Sequence, residues 1–443
     1  MSYSVINMCV GNIVSFSVGT AITWASPEID KLKNSTLAIT EEEASWVTSL
    51  FHLGAAFGPF LFGYLADKIG RKLTLVSLGF PFAIIYLLMA FVKNLYLFYI
   101  GRFIQGLATG GVFTVMPMYV GEIADSSNRG LLAGLLNIFL CVGMLFSYCV
   151  GPYVSILAFN LILAVFPIAF IPIFFILAVE TPYYCLSKNE PLKARQILQK
   201  VRGPTANIDE EIQSIEQALK SEGQAGIADL FQIKGNRRAF IISVGLMAFQ
   251  QLSGISVVLS YAQPIFKQAG TSLAPEVCSM LVGLVQLISS FLSSALSDRL
   301  GRKILLIVSS IGMVLSEGPL GVYSYLKDET SIDVSGVSFL PILLLMIYIL
   351  TYNVGSGSLP WTIMGELYPS NVKSIGSSLT SGSCWLMAFI VVKYFSSISE
   401  SIGLGACFMI FSICCLASIP FIQFLVIETK AKTLEQIQEE LNK

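Results

Sequence analysis

Twelve apolar runs, each about long enough to cross a hydrocarbon core, take up most of this 443-residue chain. They fall at about 4–26, 44–66, 73–92, 96–121, 130–152, 157–179, 239–266, 276–297, 304–325, 338–364, 374–395 and 402–427. A core of ~30 Å takes roughly 20 helical residues. Six runs lie on each side of one polar segment, 180–238. A soluble protein with twelve buried helices would still carry polar faces, and these runs have none. With 54% hydrophobic and 12% charged residues and a mean hydropathy of +0.74, the chain reads as an all-α integral membrane protein.

The two sets of six are related. Asp67-Lys68-Ile69-Gly70-Arg71-Lys72 returns 231 positions later as Asp298-Arg299-Leu300-Gly301-Arg302-Lys303. Pro117…Glu122…Arg129 returns as Pro360…Glu366…Lys373, with Glu and the base at an offset of 244 and Pro at 243, and Glu180-Thr181-Pro182 returns as Glu428-Thr429-Lys430 at 248. So long a period indicates a duplicated membrane unit, since stacked solenoid repeats recur every few tens of residues. Four segments follow: a six-helix bundle over 1–179, a linker over 180–238, a second bundle over 239–427 and a tail over 428–443.

A net charge of −1 gives no reason to expect nucleic acid. Placing both Gly-Arg-Lys turns on one side gives that side 20 of the 27 Lys and Arg residues. The positive-inside rule then makes it cytoplasmic, with both termini inside. No base precedes Lys31, so residues 4–26 read as a retained first span instead of a cleaved signal, with no domain ahead of it. The acidic loop 28–43 then faces outside, and its sequon Asn34-Ser35-Thr36 is a candidate glycosylation site. Leu192, Ile197, Leu198 and Val201, then Ile208, Ile212, Ile215 and Leu219, recur at helical spacing and predict short amphipathic helices in the linker. Leu434, Ile437 and Leu441 predict another in the tail.

Nine cysteines without C-x-x-C spacing, mostly inside apolar runs, suggest neither disulfides nor metal ligation. His52, the sole histidine, reads as a hydrogen-bonded structural residue. Neither a metal centre nor a Ser-His-Asp site is easy to build, so no cofactor and no enzyme is expected.

Polar residues inside the runs are the candidate site. The seventh holds Gln250-Gln251-Leu252-Ser253-Gly254-Ile255-Ser256 and then Ser260-Tyr261. Amides in a bilayer need partners, and they can exchange hydrogen bonds with sugar hydroxyls or with other helices. On an unbroken helix Ser256 would point about 140° away from Gln251. The polar positions share one face only if the helix breaks, and Gly254 offers the place. Asn137, Gln286 and Asn353 add amides. Gly355-Ser356-Gly357-Ser358-Leu359-Pro360-Trp361 predicts a hinge in the tenth run. Arg102 requires either a buried partner or a route to the interface, and Glu317 is an isolated buried carboxylate. Gly54, Gly58 and Gly63 permit close helix contact.

Taken together, the two Gly-Arg-Lys turns, Gly101-Arg102, Pro117-Met118-Tyr119…Glu122, Arg129-Gly130, Glu180-Thr181-Pro182, Gln250–Ile255, Pro360-Trp361…Glu366 and Glu428-Thr429-Lys430 resemble the sugar porters of the major facilitator superfamily over nearly the full length. Gly19-Thr20-Ala21…Trp24…Ser26-Pro27 is most similar to the insect facilitated trehalose and glucose carriers. The resemblance implies two pseudo-symmetric six-helix bundles around a midplane sugar site that opens alternately to each side. It assigns substrate contact to Gln250, Gln251, Ser256, Asn137, Gln286, Asn353, Trp361 and Trp385. Tyr261 falls to the outer gate, and Arg71, Glu122, Arg129, Glu180, Arg302, Glu366 and Glu428 to the inner ion-pair network.

The family commonly has Asn where Ser256, Gln286 and Cys384 stand, Gln at Asn137, and Arg at Tyr183 and Lys373, so the resemblance bears on the fold more firmly than on the identity of the cargo. Proton-coupled relatives carry an Asp where Thr20 stands. The expectation is a monomeric facilitative carrier of hexose or trehalose in the plasma membrane. The alternatives are a proton symporter and a sugar sensor that does not transport.

Overall fold

The computed structural model describes residues 3–124, 129–202, 208–221, 227–330, 332–430, 432 and 434–442. Apolar composition dictates its elements. A backbone in lipid must satisfy its own N–H and C=O groups, and a helix does so locally. The first half comprises α1 (Tyr3–Gly11), α2 (Ile13–Thr23), α3 (Ala25–Lys33), α4 (Glu41–Ile69), α5 (Arg71–Phe91), α6 (Leu95–Ile123), α7 (Arg129–Val150) and α8 (Ile156–Leu177). The linker forms α9 (Pro182–Ser187), α10 (Pro191–Arg202), α11 (Ile208–Ser221) and α12 (Ile227–Gln232). The second half comprises α13 (Lys234–Leu252), α14 (Ile255–Ser260), α15 (Ala262–Ala269), α16 (Pro275–Leu300), α17 (Arg302–Glu329), α18 (Leu340–Val354), α19 (Leu359–Leu367) and α20 (Ser370–Leu425), with α21 (Leu434–Asn442) as the tail.

Ten helices among the described residues are long and apolar enough to cross a membrane. The last of these is two spans joined at Gly403, whose φ of +83° and ψ of 155° are not helical. The seventh span is not among these ten, because its long piece α13 carries Arg237, Arg238, Gln250 and Gln251 and is too polar, and its remainder is broken into α14 and α15. Twelve spans result. One expected loop is partly helix, since α3 (Ala25–Lys33) takes in residues 28–33 of the acidic stretch 28–43. Its charges sit at helical spacing, with Glu28 in the first turn and Lys31 and Lys33 in the last, where they suit the helix dipole.

Local chemistry sets several ends. Thr40 and Glu43 form a reciprocal capping box at the start of α4, with Glu43 N donating to Thr40 Oγ1 at 3.2 Å and Thr40 N to Glu43 Oε2 at 2.8 Å. Gly70 and Gly301 close α4 and α16 with matching backbone angles, φ/ψ of 97/160° and 90/158°. The sequence duplication is thus also a conformational one, and positive φ favours Gly at both places.

Glycine also sets how closely the helices approach. A Cβ at Gly54 would collide with the Phe103 carbonyl, and one at Gly106 with the Phe51 carbonyl, so α4 and α6 pack backbone to backbone. Gly19 and Gly143 do the same for α2 and α7. Gly63 does not belong to this seam, because its nearest neighbour would be the Thr114 methyl at 3.9 Å.

The linker and tail are docked on the end that carries the Gly-Arg-Lys turns, the basic end. Arg202 donates to the Ile123 carbonyl at 2.6 Å and pairs with Glu211 at 2.7 Å. Ile197, Ile212, Ile215 and Leu219 cover Cys185, Leu186 and Ala194. Leu192 departs from the expected stripe and is 77% exposed. In the tail, Ile437 and Leu441 are buried whereas Leu434 is exposed, and Gln438 donates to the Leu367 carbonyl at 2.6 Å.

At the opposite, far end the two halves touch. Lys267 on α15 pairs with Asp30 on α3 at 2.7 Å, and Gln263 N donates to Ser26 Oγ at 3.2 Å. Lys393 on α20 donates to Ser45 Oγ at 2.7 Å and lies 4.2 Å from the Trp46 ring centroid. Tyr148 OH donates to the Leu259 carbonyl at 2.7 Å. Beside this contact Glu28 is fully buried and pairs with Lys31 at 2.8 Å. Lys31 in turn donates to the carbonyls of Gly151 and Val154. Burial pushes the Glu28 carboxyl up to about 7, with the Lys31 charge pulling the other way.

Two predictions follow from this packing. Gly254 has φ +79° and a Cβ there would lie 2.6 Å from the Phe411 ring. Gly254→Ala should destabilise the protein by ~1–3 kcal/mol, read as a lower Tm in detergent; an unchanged Tm would refute the strained break. Glu28 holds its proton more tightly folded than unfolded, so its burial costs nothing below about pH 4.5 and its full penalty above about pH 7. Wild-type Tm should fall across that window, and Glu28→Gln should flatten the fall; parallel curves would count against it.

Candidate functional site

The polar cluster forms where two helices break side by side. The seventh span stops after Leu252 and resumes at Ile255, with Gly254 in the left-handed region. The tenth stops at Val354 and resumes at Leu359. Both breaks expose backbone groups that lipid cannot satisfy. Gln250 answers for the tenth span, its Nε2 donating to the carbonyls of Ser356 at 2.6 Å and Gly357 at 3.0 Å. Tyr348 answers for the seventh, its OH donating to the Ser253 carbonyl at 2.7 Å.

The break also turns Ser256 back towards Gln251, as the helical-wheel argument required. Ser256 Oγ donates to Gln251 Oε1 at 2.7 Å. Gln251 Nε2 lies 3.3 Å from Cys384 Sγ, which itself lies 3.7 Å from Gln250 Oε1. Asn353 Nδ2 donates to Ser289 Oγ at 2.8 Å. Of the two expected uses of the amides, the bracing of one helix against another is present. Gln250 cross-braces helices through its nitrogen, whereas Gln286 is buried with Oε1 unpartnered, as is Trp385 Nε1.

Aromatic rings span the halves at this level. Phe113 on α6 stacks on Trp361 with centroids 5.6 Å apart and meets Trp385 edge-on at 5.4 Å. Tyr261 is buried against Phe395 at 5.5 Å. Asn137 is half-buried and accepts only a long contact from Cys141 Sγ at 4.0 Å. Phe113 and Cys384 are the neighbours that sequence reasoning missed as site residues. A phenylalanine in an apolar run carries no signal, while Cys384 was visible only as a departure from the family pattern.

The basic end holds two copies of one arrangement. Glu180 accepts the backbone N–H of Arg71 at 3.0 Å and of Lys72 at 3.1 Å, while the Arg71 guanidinium pairs with Glu122 at 3.1 Å and Asp67 at 3.2 Å. Glu428 accepts the N–H of Arg302 at 3.0 Å and of Lys303 at 3.1 Å, while Arg302 pairs with Glu366 at 3.2 Å. Each set lies within its own half. Burial raises the Glu180 carboxyl against the pull of its amide donors. Burial also pushes Glu428 upward, but the amides of Lys430, Arg302, Lys303 and Thr429 outweigh it and hold that carboxyl low. The Arg129 side chain lies outside the described residues.

Arg102 takes a buried partner set and not a route to the interface. Its Nη1 donates to the Ala21 carbonyl at 2.8 Å and to Gln105 at 3.2 Å, with the guanidinium 4.5 Å from the Phe51 centroid. Thr20 shares a hydrogen bond of 2.9 Å with Tyr86 OH. Glu317 is fully buried and accepts from Cys415 Sγ at 3.4 Å.

Comparison with known proteins places this geometry. A family model described as "Sugar (and other) transporter" matches residues 8–441. The facilitated trehalose transporter Tret1 of Bombyx mori is 36% identical over 97% of this chain and 85% of its own length. The protein of that name from Polypedilum vanderplanki is 34% identical over 96% and 86%. Among solved structures, a proton:xylose symporter, XylE, bound to 6-bromo-6-deoxy-D-glucose superposes with a TM-score of 0.82 at 22% identity, covering 99% of both chains. A partially occluded inward-open form of XylE from E. coli gives a TM-score of 0.83, also at 22% identity, over 97% of this chain and 99% of that one. The likeness to these structures shows a major facilitator fold of two six-helix bundles. The chain is a multi-pass membrane transporter, not an enzyme, and it belongs to the sugar transporter family.

Proposed function

We propose that the protein is a facilitative carrier of hexose or trehalose in the plasma membrane, working as a monomer by alternating access. The observation that carries this reading is the amide cluster held between two broken helices at the meeting of the halves. Gln250, Gln251, Ser256, Asn137, Gln286, Asn353, Trp361 and Trp385 present alternating hydrogen-bonding and ring surface, which is what a polyhydroxylated ring needs. Affinity is expected to be modest, because a carrier must also release. Thr20 in place of a carboxylate near Arg102 supports uniport. A proton-coupled reading is favoured only by Glu317, whose Oε1 is buried without a hydrogen-bond partner.

The charge distribution supports cytoplasmic termini, with bundles over 1–179 and 239–427 flanking the 180–238 linker and the 428–443 tail. The far end then faces outside, and its cross-half contacts correspond to a closed outer gate with Tyr261 beneath it. Arg71, Glu122, Arg129, Glu180, Arg302, Glu366 and Glu428 would join across the halves to hold the inner gate shut when the site opens outward. Asn34 is exposed at the end of α3, in keeping with a glycosylation site, though its Nδ2 donates to the Asp30 carbonyl at 2.8 Å and would have to be released.

Reconstituted protein should equilibrate labelled glucose or trehalose and show counterflow without accumulating either against an imposed proton gradient. Acid-driven accumulation would replace uniport with symport, and binding without counterflow would indicate a sensor. The two glutamines should separate in their effects. Gln250→Ala frees two buried carbonyls and should lower both Tm and uptake, at ~1–3 kcal/mol, whereas Gln251→Ala should lower uptake with a smaller loss of Tm. Normal uptake in both would remove them from the site. Lys267→Glu, facing Asp30, should shift the conformers up to ~5-fold towards an open far end, and Asp30→Lys should reverse it. Spin-label distances across that end that ignore both changes would exclude the latch.

A further inference from the structure

We infer that His52, from the first half, is a further substrate contact that shares one sugar hydroxyl with the indole N–H of Trp385 from the second half. His52 lies on α4 and is 1% exposed; the Thr48 backbone one turn back lies beside its ring, but Nδ1 has no partner at full hydrogen-bond geometry. Trp385 lies on α20 and is 7% exposed, and its Nε1 has none either. The two rings are neighbours, tilted at 40° with centroids 6.0 Å apart. Buried polar groups are nearly always paired, so two unpaired ones on touching rings call for a polar group between or beside them. The Trp385 indole can only donate, whereas a hydroxyl both donates and accepts. One sugar hydroxyl therefore satisfies both rings, accepting from Trp385 Nε1 and bonding His52 Nδ1 in either tautomer.

The position fits the substrate path. Trp385 directly follows Cys384, which contacts both Gln250 and Gln251, and Trp385 also meets Phe113 at 5.4 Å. Packing against Phe51, at 5.3 Å and 87°, accounts for the place of the imidazole but leaves Nδ1 without a partner. A ligand bridging His52 and Trp385 would touch both halves at once, so its binding would register their relative position.

This inference rests on the sugar-transport reading, and its test keeps the two apart. Wild type, His52→Phe and His52→Asn are reconstituted and assayed with labelled glucose and labelled trehalose. His52→Phe should raise KM about 5- to 10-fold with a smaller change in kcat, and His52→Asn, which keeps a polar group, should stay within about 2-fold of wild type. Because His52 is the sole histidine, diethyl pyrocarbonate offers a second readout on the unmodified chain. Carbethoxylation mapped to the His52 peptide should be slowed at least about 3-fold by saturating transported sugar. Unchanged KM in His52→Phe, or labelling at the same rate with and without sugar, overturns the assignment. If His52→Phe does not fold, protection of the wild type decides alone. A wild type that neither carries nor exchanges either sugar removes the transport reading and this inference with it.

Discussion

A helix cannot be interrupted in lipid unless something else satisfies the backbone it frees. The centre of this molecule is arranged around that constraint. The seventh and tenth spans break at the same level, and each break is secured by a side chain from the other span. Gln250 holds the Ser356 and Gly357 carbonyls, and Tyr348 holds the Ser253 carbonyl. The polar groups that permit the breaks are also among those proposed to meet the sugar. Stability of the break and chemistry of the site are thus one problem, which is why Gln250 and Gln251 differ in role despite being adjacent and identical.

Away from the centre, the duplicated architecture uses one device twice. A glycine with φ near +90° turns the chain, and the next two backbone N–H groups meet a carboxylate brought from the end of the sixth or twelfth span. An arginine beside the turn then reaches a second glutamate. Each frame is internal to its half and keeps that half rigid as a body. The contacts between halves are of another kind. At the far end they are single hydrogen bonds, two of them buried, and the exposed Lys267–Asp30 ion pair, worth at most about 1 kcal/mol at a wet surface. Rigid halves joined by weak contacts suit a protein whose two conformers must lie within a few kcal/mol of each other.

Much of this was legible in the chain. The periodic runs, the repeated turns and the break at Gly254 each follow from local rules about span length, duplication and helical phase. The helix over residues 25–33 was not legible, because a stretch this short and this charged reads equally well as an acidic loop. The merger of Gln250 with the carbonyls of a span 100 residues on was not legible either, since nothing local ranks a backbone partner above a ligand. The surroundings of Arg102 were left open for the same reason. Its partners, Ala21 and Val47, are carbonyls from two other helices and carry no sequence signal. His52 reads in sequence as an ordinary hydrogen-bonded histidine, yet its Nδ1 has no hydrogen-bond partner beside Trp385.

By itself the sequence determined that this chain crosses a membrane twelve times, in two related sets, with amides and glycines where lipid should not tolerate them. Hydropathy, repeat offset and the cost of a buried polar group are properties of residues and their spacing, so no contact map is needed to read them. Only the tertiary structure decided which polar atoms satisfy one another and which are left over. Hydrogen bonding is directional and saturable, and both a pairing such as Gln250 with Ser356 and the meeting of the unpaired His52 and Trp385 rings depend on where two distant helices meet.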